Sequence, residues 1–516
     1  MPSWTWYRFR LIMKKVITAL EAKENDAYTI SNFTLSIDLM EKAGEMSFKL
    51  IKEKIKKEDK ILIVAGGGGN GGDGLVIARY LFNENYDVSI HLASNHLKEE
   101  TSINLKRYLG KVIDNLDTYL KKDKPSIIID ALFGVGLSTK IKDSYIELIN
   151  KLNQVNAYKV SIDINSGLDA TSGLNLGTYF KSDLTITIED LKSGLFLNDG
   201  KAAYKELKVV SIGIKPAKSE YFLHILEKED IKCLFKKRDE NSNKGSYGRV
   251  ALLGGSKLTP GALLLSYNAL ASLRCGVGYA LVGIPKSLYN IYALKNEENI
   301  YALFNDKDGN ILFDEENLKK LLNYSAILVG PGIGTSEEVY KIISYLILNF
   351  KGNLVLDADA LNSLAKYGVD ILKKKVCNSI TLTPHIKEFS RLSNLEINVI
   401  LSNSVEICRD FAKKYGVIVN LKNNVSVISD GINSYLNITG NAGLAKGGSG
   451  DVLSGITLGL LNKNDHLLLR VASAAYLLGL SADLAKEKIN EYSLLARDVV
   501  DFLPQAIISI VEKDNN

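Results

Sequence analysis

The chain has 516 residues, 46% hydrophobic and 24% charged, with a formal net charge of +5, a make-up ordinary for globular protein and long enough for two or more domains. So small a positive excess leaves no nucleic-acid footprint, and the lysine run from Lys49 to Lys60 alternates with glutamate and apolar residues as a solvated helix face does. Four widely spaced cysteines, Cys233, Cys275, Cys377 and Cys408, form no C-x-x-C pair, so neither zinc nor a disulfide framework is expected and a reducing cytoplasm is.

Residues 1–12 carry two arginines but no apolar run long enough for a signal peptide, and no stretch of about 18 apolar residues follows anywhere. Neither export nor a membrane span is expected. Met13 reads as a more natural start, which makes residues 1–12 an extension. Strand-like runs then recur at Lys60 to Val64, Asp87 to Ala93, Ser126 to Asp130, Lys159 to Asp163 and Leu184 to Ile188, with helical stretches between them. This alternation predicts a parallel, doubly wound sheet.

The first strand runs into "AGGGGNGGDGLVIARYL" (Ala65 to Leu81), with a helix predicted to open near Leu75. Gly66, Gly68 and Gly71 satisfy G-x-G-x-x-G, but the pattern recurs in two overlapping registers and loses its information. The strand ending at Ala93 also lacks the acid that would hold a ribose. Asp73 sits inside the turn, where a carboxylate competes with phosphate for the same amides. Something other than a plain pyrophosphate cradle is expected. Asp130 and Asp163 end two further strands, each before a glycine turn, where such sheets bind ligands; either alone could be a helix cap.

Between Lys205 and Ser242 the sequence turns polar and charged, and a domain boundary is expected near residues 220–240. Further strand-like runs, Arg249 to Ser256, Ala326 to Gly334, Asn353 to Asn362, Ser379 to His385 and Gly416 to Asn424, predict a second α/β domain. Its most informative segment is "TGNAGLAKGGSGDVLSGI" (Thr439 to Ile456). Gly447, Gly448 and Gly450 let amides converge before a helix predicted to start near Asp451, an anion hole for a phosphoryl group. Asp451 stands where it could take a proton from an attacking hydroxyl.

Gly448 to Asp451 resembles the signature of ribokinase-like small-molecule kinases. With "KGSYGRVALLGGS", "VGPGIG", "LDADALN" and "LTPHIKEFSRL" in order, the second half is similar to the NAD(P)H-hydrate dehydratases among them. The first half resembles the NAD(P)H-hydrate epimerases through "LMEKAG", the glycine turn, "DALFGVGL", "DINSGLDATSG" and "KSGL". The fusion, in this order, resembles the bifunctional repair enzymes. Departures are Gly67 and Gly69 at a usual Pro and Asn, Asn165 at a usual Pro, Lys387 at a usual Gly after Pro-His, and Asn423 at a usual Gly after Lys422.

The resemblance implies a Rossmann-like sheet in an epimerase domain over residues 13–225 and a ribokinase-like α/β domain, the dehydratase, over 226–516. It implies hydrated NADH or NADPH as substrate, ADP as phosphoryl donor with Mg2+, and a homo-oligomer without nucleic-acid or membrane partners. In the first domain Asp163 is the expected acid/base group at C6. Asn70, Asp130 and Ser166 offer oxygens suited to a hard cation, potassium by the resemblance, with a plain hydrogen-bond network as the alternative. Gly69, Asn70, Gly71, Gly72 and Asp73 would meet the substrate's phosphates, and Gly134, Val135, Gly136, Leu137, Ser138, Thr139, Lys140 and Tyr145 would line it. In the second, Asp451 is the expected base. Gly448, Ser449 and Gly450 form the anion hole, and Lys422, Asn423, Asn424, Val425 and Ser426 the nucleotide side. Ala262, Gly332 and His385 match substrate contacts. Two rival readings are a ribokinase-fold vitamin-precursor kinase with an accessory first domain, and a first domain that only binds partners.

Overall fold

The structure, a computed structural model, describes residues 14–218, 221–271, 274–295 and 300–511. Residues 1–12, read above as an extension, lie outside them. The chain divides into two compact units, one of residues 15–220 and one holding everything from Tyr221 onward.

The sheet of the first unit is built from β1 (Lys60–Ala65), β2 (Asp87–Leu92), β3 (Lys111–Val112), β4 (Ile127–Ala131), β5 (Tyr158–Ile162), β6 (Ser182–Ile188) and β7 (Tyr204–Val210). They lie in the order β3-β2-β1-β4-β5-β6-β7, every neighbouring pair parallel. β1 and β4 are near-continuous apolar runs because both faces of a parallel sheet are covered. Alternate side chains split the two layers. Ile61, Ile63 and Ile129 pack with Phe48, Ile51, Leu75 and Ile77 from helices α2 (Ser36–Lys52) and α3 (Gly69–Asn83). Leu62, Val64 and Ile128 pack with Leu116, Tyr119, Ile149 and Leu152 from α4 (Leu116–Lys122) and α5 (Asp143–Gln154). One further helix, α1 (Ala19–Asn32), precedes these and opens with a capping box between Thr18 and Glu21.

Helix α3 starts at Gly69, well before Leu75, where its apolar periodicity begins. The glycines are its first turn, not a loop ahead of it. Glycine is a poor helix former, so local propensity hides this start; tertiary packing imposes it. A Cβ at Gly66 would lie 2.0 Å from Leu132 O, one at Gly71 1.9 Å from Gly66 O, and one at Gly74 2.6 Å from the Ala131 Cβ. Gly68 and Gly69 have open space around theirs.

The second unit repeats the winding. β8 (Arg249–Leu253), β9 (Tyr279–Pro285), β10 (Ile300–Phe304), β11 (Ala326–Val329), β12 (Asn353–Leu356), β13 (Ser379–Leu382) and β14 (Ile418–Leu421) follow the order β10-β9-β8-β11-β12-β13-β14. All are parallel, and the antiparallel strands β15 (Ser426–Ser429) and β16 (Asn433–Asn437) extend the sheet. Helices α9 (Ser449–Leu460), α10 (Leu467–Ile489) and α11 (Ala496–Val511) bury one face through Val452, Ile456, Val471, Leu477 and Leu503. By length and composition α10 could cross a membrane, but 67% of its apolar window is buried inside the protein, as in a core helix. The four cysteines are free, and Cys275, Cys377 and Cys408 are buried.

Gly71→Ala is expected to lower the stability of the first unit by about 2 kcal/mol, because the new methyl must displace backbone. Gly69→Ala, which meets nothing, should be neutral or slightly stabilising. Urea denaturation followed by the first unit's own transition compares the two.

Candidate active sites

In the first sheet the chain reverses its winding between β1 and β4, and ligands bind at the carboxyl ends flanking such a point. A cavity of about 600 Å³ opens there, walled by Gly67–Asn70, Asp73, Leu132–Leu137, Asp163 and Lys192. Gly72 N donates to Gly68 O at 3.2 Å; the amides ahead of it, Gly69 to Gly71, have no carbonyl one turn earlier in the helix and no side-chain cap. These are donors for an anion.

Asp130, fully buried, is held by four donors. Ser166 Oγ and Leu132 N reach Oδ1 at 2.6 and 3.2 Å; Ser161 Oγ and Ser166 N reach Oδ2 at 2.9 and 3.0 Å. Burial pushes its carboxyl above the usual range, and these bonds act against the shift. Ser166 Oγ also accepts from Phe133 N at 2.9 Å, and Asn70 Nδ2 donates to Phe133 O at 2.9 Å. Asn70 and Ser166 therefore both bond to Phe133, and Asp130 holds Ser166 and the neighbouring Leu132 amide. Asn70 Oδ1 is buried without a partner, an unmet acceptor that a hard cation would satisfy. The residues present fit potassium.

Asp163 follows β5 in the left-handed region, φ 67°, which Asp tolerates better than most residues. The turn aims its carboxylate at a buried cation: Lys192 Nζ lies 2.6 Å from Oδ1, the two side chains 4% and 11% exposed. Lys192 also donates to Thr187 Oγ1 at 3.2 Å and Ile188 O at 2.6 Å. The other oxygen, Oδ2, stands 3.2 Å from where a Gly134 Cβ would be, on the cavity side. Asp73 keeps part of its surface on the cavity; desolvation, then Asp163 and Asp26, push its carboxyl well above the usual range. Asp26 of α1 lies on the same wall.

The second site collects at the ends of β12, β13 and β14 and the start of α9. Asp357, 1% exposed, accepts from Lys422 Nζ at 3.1 Å. That amine stands 3.2 Å from where a Cβ of Gly450 would be, over the N-terminus of α9. Gly448 caps α9 in the left-handed region, φ 97°, with no side-chain cap, which leaves its first amides free. Asp451 lies in that first turn. Burial, then Asp357, push its carboxyl up to about 7, against the pull of Lys422. The chain between Asp357 and Asp359 is strained at Ala358, φ 49° and ψ −116°, and Asp359 Oδ2 accepts from Gly334 N at 2.9 Å. That bond fixes the glycine loop containing Gly332, whose carbonyl accepts from Thr259 Oγ1 at 2.9 Å. Ala262 lies at the start of helix α6 (Pro260–Ala271).

Several expected contacts fall elsewhere. Ser138, Thr139, Lys140 and Tyr145 are not on the cavity wall; the Tyr145 ring packs edge-on against Phe133, centroids 4.8 Å apart. Gly71 and Gly72 are buried, so only their backbone can serve. Val425 is 1% exposed, its side chain in the core, while Asn423, Asn424 and Ser426 frame the turn into β15. His385 caps helix α8 (Ile386–Ser393): its Nδ1 accepts from Lys387 N at 3.1 Å and Glu388 N at 3.2 Å. Burial, then Lys422, lower its pKa, and Nε2 stands 3.5 Å from Glu388 Oε1. Asn165, at a usual Pro, donates to Phe180 O and Ala203 O at 3.0 Å each and to Ser182 Oγ at 2.9 Å, tying β6 to the turn. The sequence reading missed Asp26, Lys192, Asp357, Asp359 and Glu388 as site residues. All but Asp26 lie inside the quoted motifs, a signal that could have found them.

A family model described as NAD(P)H-hydrate dehydratase matches residues 250–505, and one described as YjeF-related protein N-terminus matches residues 36–194. A Moorella thermoacetica protein named bifunctional NAD(P)H-hydrate repair enzyme Nnr is 30% identical over 521 residues, covering 96% of this chain and 97% of its own. The chain belongs to the family of bifunctional NAD(P)H-hydrate repair enzymes. A member from Archaeoglobus fulgidus is 32% identical, over 91% of this chain and 94% of its own. Among solved structures, an ADP/ATP-dependent NAD(P)H-hydrate dehydratase from Bacillus subtilis, co-crystallised with ATP and Mg2+, is 30% identical over 55% of this chain and 98% of its own, with a TM-score of 0.48.

Removing one partner of a buried ion pair strands the other charge and costs about 3–5 kcal/mol. Lys192→Met is expected to destabilise the first unit by that amount. Adding Asp163→Asn should restore much of it, which a double-mutant cycle in urea would read.

Proposed function

We propose that this chain repairs hydrated NADH and NADPH. The segment 13–225 inverts the hydrate at C6, and the segment 226–516 dehydrates the S form with ADP, giving NAD(P)H, AMP and phosphate. The observation that carries it is the pairing of two sites in one chain: an acid/base cavity under phosphate-binding amides, and an aspartate at a bare helix N-terminus beside a lysine.

In the first unit the hydrate's C6 is a carbinolamine carbon, and the nitrogen lone pair can expel its oxygen. Asp163, fixed by Lys192 on one oxygen and open to the cavity on the other, moves the proton. The Gly69 to Gly71 amides hold the diphosphate. Potassium held by Asn70, Asp130 and Ser166 would add positive charge beside it.

In the second unit Asp451 takes the proton of the C6 hydroxyl as its oxygen bonds to the transferred phosphorus. The amides of Gly448 to Gly450 and the Lys422 ammonium stabilise the charge that develops. The ring nitrogen then expels phosphate, and loss of the C5 proton restores the double bond. Asp357 and Asp451 carry the carboxylate oxygens that would hold magnesium bound with the nucleotide, which would add positive charge at the phosphates.

The test is dihydronicotinamide absorbance after mixing the full chain with both epimers of hydrated NADH. Full recovery with ADP or ATP is expected, and Asp451→Asn should cut the rate at least about 100-fold. With the S epimer alone, kcat/KM should rise on an acid limb centred near pH 7, as the Asp451 carboxyl ionises. A stable phosphorylated product in place of NADH would make the second unit a kinase.

A further inference from the structure

Helix α1 buries a polar face. Ala22, Asn25 and Thr29 point inward, while Leu20 and Phe33 beside it are 65% and 60% exposed, the reverse of an ordinary packed helix. Two of the polar residues hold chain: Asn25 Oδ1 accepts from Ala217 N at 2.7 Å, and Thr29 Oγ1 accepts from Lys215 N at 2.9 Å. Asp26 has no such task. It stands on the wall of the first cavity with no hydrogen bond or ion pair among the described residues.

Lys192, the cation of the cavity wall that acts on Asp26, is already committed. Lys192 has three N–H groups, and Asp163 Oδ1, Thr187 Oγ1 and Ile188 O take all three. Asp26 is left as a carboxyl among carboxyls. Burial, then Asp163, push it up to about 6, Lys192 opposing and Glu189 adding. Such a group exchanges a proton readily near neutral pH.

Inversion at C6 takes oxygen off one face of the ring and puts it back on the other. Asp163 enters the cavity from the end of β5 and Asp26 from α1, two elements far apart in the chain. We propose that Asp26 is the second catalytic residue of the epimerase cavity, serving the ring face that Asp163 does not. The inference rests on the epimerase reading. In one direction the Asp26 carboxyl gives its proton to the C6 hydroxyl; the C6–O bond breaks as the N1 lone pair forms the C6=N1 iminium, and water leaves. At the opposite face a water oxygen bonds to C6 and loses a proton to the Asp163 carboxylate, while the C=N electron pair returns to nitrogen. Before the next turnover Asp163 loses its proton to solvent water and Asp26 takes one from it, and the reverse inversion runs the same steps backwards.

The experiment uses the full chain without nucleotide, so dehydration is silent, and follows conversion of the R hydrate of NADH to S by chromatography. Asp26→Asn is expected to lower kcat at least about 100-fold with KM within about three-fold of wild type, and Asp26→Glu to recover part of it. Nucleotide-driven dehydration of the S hydrate by the same variant should be unchanged and the first unit should keep its own urea transition, which together show that both units are folded. Asp26→Asn retaining more than a tenth of kcat, or losing only affinity, would overturn the proposal while Asp163→Asn still abolished inversion. A wild-type chain that left the epimers unconverted would instead overturn the epimerase reading, and the role of Asp26 with it.

Discussion

Both sites depend on backbone passing backbone closer than a side chain allows. At the end of β1 a Cβ on Gly66 would sit 2.0 Å from Leu132 O, and in the second unit a Cβ on Gly330 would sit 1.8 Å from Asp357 O. The turns after adjacent strands are thereby pressed together, in the first sheet where its winding reverses and in the second one strand beyond that point, and helix N-termini with unpaired amides lie at both sites. Glycine in these turns is a steric requirement before it is a binding device. Gly68 and Gly69, with free space around them, are the exceptions that face the ligand.

Each site sets one lysine against several acids. Lys192 neutralises Asp163 and leaves Asp26 and Asp73 with raised pKa values; Lys422 neutralises Asp357 and leaves Asp451 raised. In a buried setting the unpaired carboxyl lowers its cost by keeping its proton. The two halves share no sequence motif, yet the same imbalance yields a proton-exchanging aspartate in both.

The α/β class, the succession of two sheets and the strand-end aspartates were legible because buried parallel strands leave apolar runs and ligand-facing turns leave glycine. The start of α3 was not, since seven glycines between Gly66 and Gly74 argue against helix locally and only the contacts of Gly66, Gly71 and Gly74 require it. Tyr145, named only through the resemblance, packs edge-on against Phe133, a contact its place in the sequence does not show. His385 showed its position at a strand end but not that its imidazole would cap α8. Asp26 was invisible: an acid among the charged and polar residues from Glu21 to Asn25 looks like solvated surface until the fold turns it toward the cavity.

The charges of the first cavity also sort the two ends of a dinucleotide. Two like charges 4 Å apart repel by about 1 kcal/mol in water and about 4 kcal/mol near a protein surface. A diphosphate set beside Asp26, Asp73 and Asp163 finds no uncommitted lysine at Lys192, which Asp163 takes up, and would meet that repulsion from each of these carboxyls that ionises, whereas the bare amides of Gly69 to Gly71 attract it. A ligand that is anionic in the middle and neutral at its ring is therefore seated with a single polarity, ring toward the carboxyls. An anion of similar size without a neutral end finds no second half to its site.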